Sequence, residues 1–87
     1  MDLKLHSQIR AYVMSRLSLH GDFTPLGDED ALFSSARLDS LDAVELVIFL
    51  ESDFGIDFAK LGFDLTLLDS VSAITDMVSR HSMRDVA

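Results

Sequence analysis

The sequence predicts an all-α fold: a small four-helix bundle of three main helices and one short helix, with a long loop between helices one and two. Three observations predict it. Apolar residues recur at steps of three and four in separate stretches, the period that gathers them on one side of a helix. Asp, Ser and Gly residues suited to capping bound those stretches. The 87 residues leave room for one small core, and 48% apolar content with a single proline suits a folded chain despite a net charge of -8. A single domain over 1–87 is expected, structured over about 3–81 and frayed over 82–87.

In the first stretch, Leu5, Ile9, Tyr12, Val13 and Leu17 form one apolar stripe, which predicts helix one. Gly21, Pro25 and Gly27 then break the pattern. A loop from about His20 to Leu38 follows, pinned to the core by Phe23, Leu26, Leu32 and Phe33; without such packing its length would count against the assignment. Helix two starts near Ser40, with Asp39 as N-cap and Asp42 adding negative charge to the first turn, and ends at Phe54, where Gly55 suits a left-handed C-terminal cap. A short helical piece is predicted within Ala59 to Leu68, its limits blurred by Gly62. The last helix runs from about Ser70 to His81 with Val71, Ile74, Met77 and Val78 on one side, capped by Asp69 or Ser70.

The composition excludes several functions. With no cysteine, the chain can form no disulfide, thiolate metal site or cysteine nucleophile, and a cytoplasmic protein is the simplest expectation. Fifteen acidic residues against seven basic ones disfavour nucleic acid and point to transient encounters with basic protein surfaces, the chain itself being expected as a monomer. The residues Met1 to His6 lack a secretion signal pattern, and no stretch approaches the roughly 20 apolar residues that span a bilayer, so no membrane insertion is expected. A stand-alone enzyme is not expected either, because no nucleophile–base pair, glycine-rich phosphate loop or metal cluster is present.

Helix two carries more apolar surface than one buried stripe requires. Ala43, Leu46, Val47, Leu50 and Phe54 can form the core face, while Leu41, Val44 and Ile48 repeat the spacing on another face, accompanied by Asp42, Glu45 and Glu51. Apolar spots among carboxylates resemble a partner-docking surface. The pattern alone leaves open that the preceding loop folds over this second stripe and makes it ordinary core.

The run Leu38-Asp39-Ser40-Leu41-Asp42-Ala43-Val44-Glu45-Leu46 opens an acidic amphipathic helix after a long loop and before Phe54-Gly55-Ile56, in a short chain without cysteine. This resembles the acyl carrier protein family, and the similarity extends over most of the chain. The resemblance implies a four-helix fold with 4'-phosphopantetheine esterified to Ser40, transferred from coenzyme A by a magnesium-dependent phosphopantetheinyl transferase. It implies a carrier rather than an enzyme: acyl or aminoacyl groups ride as thioesters on the arm. Loading ligases and the synthases of fatty-acid, lipid, polyketide or peptide biosynthesis would be the partners. Asp39, Leu41, Asp42, Val44, Glu45, Ile48 and Glu51 would then meet basic docking surfaces. Physical chemistry agrees, since free N–H groups and the positive end of the helix dipole favour an anion at a helix start.

The sequence also departs from the family pattern. Members often have glycine shortly before the Asp-Ser pair, where this chain reads Ser34-Ser35-Ala36-Arg37-Leu38. The stretch Phe58 to Ser70 is longer and more apolar than in housekeeping fatty-acid carriers, which points to a specialised carrier. His6, His20 and His81 lack metal-ligand spacing and receive no function; Asp28, Glu29 and Asp30 read as a solvated loop, and no metal is expected. Met14, Met77 and Met83 read as core or end residues. The competing reading is an unmodified acidic helical interaction module, with Ser40 only a helix cap.

Overall fold

The computed structural model describes residues 3–81, all-helical with no strand among them. Helix α1 spans Leu3–Leu19 and turns Leu5, Ile9, Val13 and Leu17 into the core. Tyr12 lies at the edge of that stripe, stacked on Phe49 with ring centroids 4.1 Å apart. Met14, expected at or near the stripe, is instead half in solvent at 49% exposure. The N–H groups of His20 and Asp22 both close onto the Leu17 carbonyl and end the helix.

The predicted long loop is present between α1 and helix α2, Ser40–Phe54. Leu26 and Leu32 are buried and Phe33 packs against the core, but Phe23 is 80% exposed and pins nothing. Polar ties replace it. Arg10 donates to the Leu26 carbonyl and the Asp28 carboxylate, and the Asp28 carbonyl accepts from the Ser72 N–H at 2.9 Å. Asp69 Oδ1 accepts from the N–H groups of Leu32, Phe33 and Ser34 at 3.2, 2.6 and 3.0 Å, and Oδ2 accepts from the Ser34 hydroxyl. A segment without helix thus satisfies its backbone through side chains of α1 and of the approach to the last helix. Near its end Ala36 holds φ 65, the left-handed region that L side chains disfavour.

Helix α2 buries Ala43, Leu46, Leu50 and Phe54 and stops at Gly55, whose φ of 67 closes a left-handed cap. Glycine at position 62 divides the next segment in two: helix α3, Phe58–Leu61, and a single 3-10 turn, Leu65–Leu68. Helix α4, Val71–His81, presents Val71, Ile74, Met77 and Val78 to the core. Ser70 caps it by accepting from the Ala73 N–H at 3.0 Å, which releases Asp69 for the loop. The side chains of α1, α2, α4 and the loop meet in one apolar cluster centred on Ile9, Leu32, Leu46, Leu50 and Ile74. Each such side chain stabilises the fold by roughly 1.5–3 kcal/mol relative to exposure. Residues 82–87, predicted to fray, and Met83 with them, lie outside the described residues. Among the described residues no helix is long and apolar enough to cross a membrane.

Candidate functional site at the head of helix α2

Two carboxylates build the first turn of α2. Asp39, in extended conformation, accepts the Asp42 N–H at 3.1 Å, and Asp42 reaches back to accept the Asp39 N–H at 2.9 Å. This reciprocal pair is a capping box with aspartate at both ends. It satisfies two donors and leaves the N–H groups of Ser40 and Leu41 without an acceptor among the described residues. Ser40, the first helical residue, is exposed. The 15 residues of α2 align their peptide dipoles toward this end, so an anion on Ser40 would meet free donors and a favourable field.

The second apolar stripe is open to solvent. Leu41, Val44 and Ile48 are 62%, 55% and 52% exposed, so the loop does not fold over them. Asp39 and Glu51 are exposed and Glu45 is half-buried on the same helix. Ser40 and the predicted docking residues, except one, are therefore available on a single helix.

The exception is Asp42, predicted for the docking surface and only 1% exposed. Its role in the capping box turns the carboxylate back toward the chain, where two residues of the α1 end meet it. The Arg16 guanidinium reaches Oδ1 at 2.8–2.9 Å, and His20 Nε2 lies 2.6 Å from Oδ2. Burial pushes the Asp42 carboxyl up, but hydrogen bonds from the Asp39 backbone, Arg16 and His20 outweigh it and hold the group at about 2. Asp42 is thus a charged brace inside the protein and takes no part in surface recognition. Arg16 and His20 were missed by sequence reasoning, which assigned His20 no function. They stand 26 and 22 residues from Asp42, and no local spacing connects them. The one available signal was Asp42 three positions after Asp39, the register of a capping box.

Ligand atoms of His20, Asp39 and Asp42 lie within 4.8 Å of one another, the one such cluster among the described residues. Arg16 already supplies a cation to Asp42 there, so the group is an ion-pair network.

Two recesses border the segment from Phe58 to Asp69. A groove of about 160 Å³ lies between Phe33 and Ser34 of the loop and Leu65, Thr66 and Asp69. A pocket of about 260 Å³ is lined by Phe58, Leu61, Leu67, Leu68, Met77 and His81. The apolar segment predicted over Phe58 to Ser70 thus walls a cavity, while Leu61, Phe63 and Leu67 remain partly exposed.

Comparison with protein-family models, curated proteins and solved structures finds no match.

The geometry accommodates a phosphodiester on Ser40. The hydroxyl is on the surface and two N–H groups beside it are open. The Asp42 charge, which would repel an anion, is buried, offset by Arg16 and hydrogen-bonded to the His20 ring. Asp39 is the remaining carboxylate at the turn, and its Oδ1 is engaged by the Asp42 N–H.

Proposed function

We propose that this chain is a carrier protein of the acyl carrier type, modified with 4'-phosphopantetheine on Ser40 and operating in the cytoplasm as a monomer. The observation that carries the reading is the coincidence on one helix of an exposed serine at an open N-terminus and an exposed apolar stripe flanked by carboxylates. Neither feature serves the fold: an ordinary surface helix buries one stripe and exposes polar residues elsewhere. A phosphopantetheinyl transferase and the enzymes that load and unload the carrier would share that surface.

The chain's own residues have limited tasks. Ser40 supplies the attachment oxygen, and the N–H groups of Ser40 and Leu41 with the α2 dipole favour the resulting anion. No base beside Ser40 is needed, because the transferase supplies activation. Leu41, Val44 and Ile48 give the partner apolar contact, and Asp39, Glu45 and Glu51 steer basic surfaces toward it. When bound, the arm supplies a terminal thiol for thioester linkage, which accounts for such chemistry in a chain without cysteine. The pocket walled by Phe58, Leu61 and Leu67 supports a specialised carrier for a dedicated acyl or aminoacyl group in lipid, polyketide or peptide synthesis.

The exposed stripe also favours a second reading, an unmodified acidic interaction module. Intact mass decides between them. The purified chain and Ser40→Ala would be incubated with coenzyme A, magnesium and a broad-specificity phosphopantetheinyl transferase. A gain of one phosphopantetheine in the parent chain alone is expected. A folded parent chain, unmodified at the start, that gains nothing would leave the interaction module as the function.

A further inference from the structure

Ser40 stands on a turn that is held from beneath. Asp42 lies two residues on, and its carboxylate gathers the Asp39 N–H, both contacts of the Arg16 guanidinium and the His20 ring. Three of these four contacts come from side chains at the end of α1, a different element. The capping box alone would fix Asp39 relative to Asp42 within α2; it could not fix that turn relative to the rest of the protein. Arg16 and His20 do so, because Arg16 sits on a helix whose own stripe, Leu5 to Leu17, is buried, and His20 directly follows it with its N–H on the Leu17 carbonyl.

The burial pattern supports a task beyond stability. A carboxylate removed from water is a poor stabiliser compared with an apolar residue of similar size, since desolvation offsets much of the ion-pair attraction. What a fully paired buried charge supplies is geometry: donors in three directions allow it one position. The charge balance points the same way. Asp39, Asp42 and a phosphodiester on Ser40 would place three negative charges around one turn, and within that turn no side chain is cationic. Arg16 is the cation that reaches it, and His20 adds a ring nitrogen within hydrogen-bond distance of the same carboxylate.

We propose that Arg16 and His20 are positioning residues for the modification site, acting through Asp42 to hold the first turn of α2 so that Ser40 is presented with the adjacent N–H groups free. This rests on the carrier reading above and adds to it the residues outside α2 that make the serine a competent acceptor. The docking stripe is separate from this brace: Leu41, Val44 and Ile48 face solvent. Loss of the brace therefore leaves partner binding largely intact and slows the transfer itself.

The test compares phosphopantetheine transfer to the full chain and to His20→Ala, His20→Gln and Arg16→Lys, with amide hydrogen exchange measured on each. Glutamine retains an N–H donor near the position of Nε2, and lysine retains the charge without the two-point guanidinium contact. His20→Ala is expected to lower kcat about tenfold with KM for the carrier little changed, as misplaced reacting groups do. Exchange should quicken at Asp39 and Asp42, while the Ile74 amide of α4 stays protected. His20→Gln should recover most of the rate, and Arg16→Lys should fall between. Variants that remain folded and are modified at the parent kcat would overturn the proposal and leave the carrier reading standing. A KM rise with unchanged kcat would equally overturn it, assigning the residues to partner contact. A parent chain that accepts no phosphopantetheine removes the carrier reading and this proposal with it.

Discussion

Replacing Ala36 with glycine should make this protein more stable. Ala36 sits at φ 65, where the Cβ of an L-residue crowds the following carbonyl at a cost of roughly 1–2 kcal/mol. The side chain is exposed, so its removal forfeits no buried surface. Against this gain stands the larger unfolded-state freedom of glycine, about 0.4–1 kcal/mol. The net is a stabilisation of about 0.5–1 kcal/mol, or roughly 3–6 °C in Tm for a domain of this size. Gly21 provides the reciprocal experiment. It holds φ 72, and a Cβ added there meets nothing within 4 Å, so Gly21→Ala runs the same balance in reverse and should lower stability by about 0.5–1 kcal/mol. Thermal and urea unfolding followed by helical circular dichroism at pH 7 reads both. A Tm for Ala36→Gly at or below that of the parent would refute the reasoning, as would a Gly21→Ala variant that gains stability.

Two further outcomes follow from the site. Val44→Asp and Ile48→Asp place charges on residues about half exposed, so Tm should change little while kcat/KM for phosphopantetheine transfer falls at least about tenfold, as for central interface residues; steady-state kinetics checks this, and unchanged kinetics would exclude the stripe from docking. The second concerns pH. The folded-state pKa of Asp42 is depressed to about 2, so its stabilisation is complete above the ordinary carboxylate value near 3.9 and is lost as pH falls from there through the depressed value. Asp42→Asn should be less stable than the parent at pH 7, and urea titrations should show the gap narrowing by about 2 kcal/mol between pH 5 and pH 2. A constant gap would show that Asp42 does not carry this linkage.

Much of this architecture was legible because it is encoded locally. The stripe Leu5, Ile9, Val13 and Leu17 and the cap residues Asp39 and Gly55 report on neighbours within one or two helical turns, and α2 begins and ends where they place it. The second stripe was legible as a surplus; only packing could show that it stays open. What escaped the sequence depends on distant parts of the chain. Asp42 reads as a surface acid in a helix's first turn, and only Arg16 and His20 arriving from α1 make its burial tolerable. Phe23 reads as an anchor by its hydrophobicity, but the polar ties of Asp28 and Asp69 hold the loop without it. Asp69 and Ser70 were equivalent candidates for one cap until the loop claimed the first.

An apolar ridge left in water on a small protein invites the protein to stick to itself. Here each molecule carries a net charge of -8, so two copies approaching ridge to ridge repel before Leu41, Val44 and Ile48 can meet. Under the carrier reading, a basic partner would remove that barrier by contributing the opposite sign. Acidity would then act as a password: the ridge could adhere to many surfaces and would be reached only by molecules that answer its charge. The protection has a boundary, since near the isoelectric pH of about 4.4 the password lapses and the ridge becomes a site for self-association.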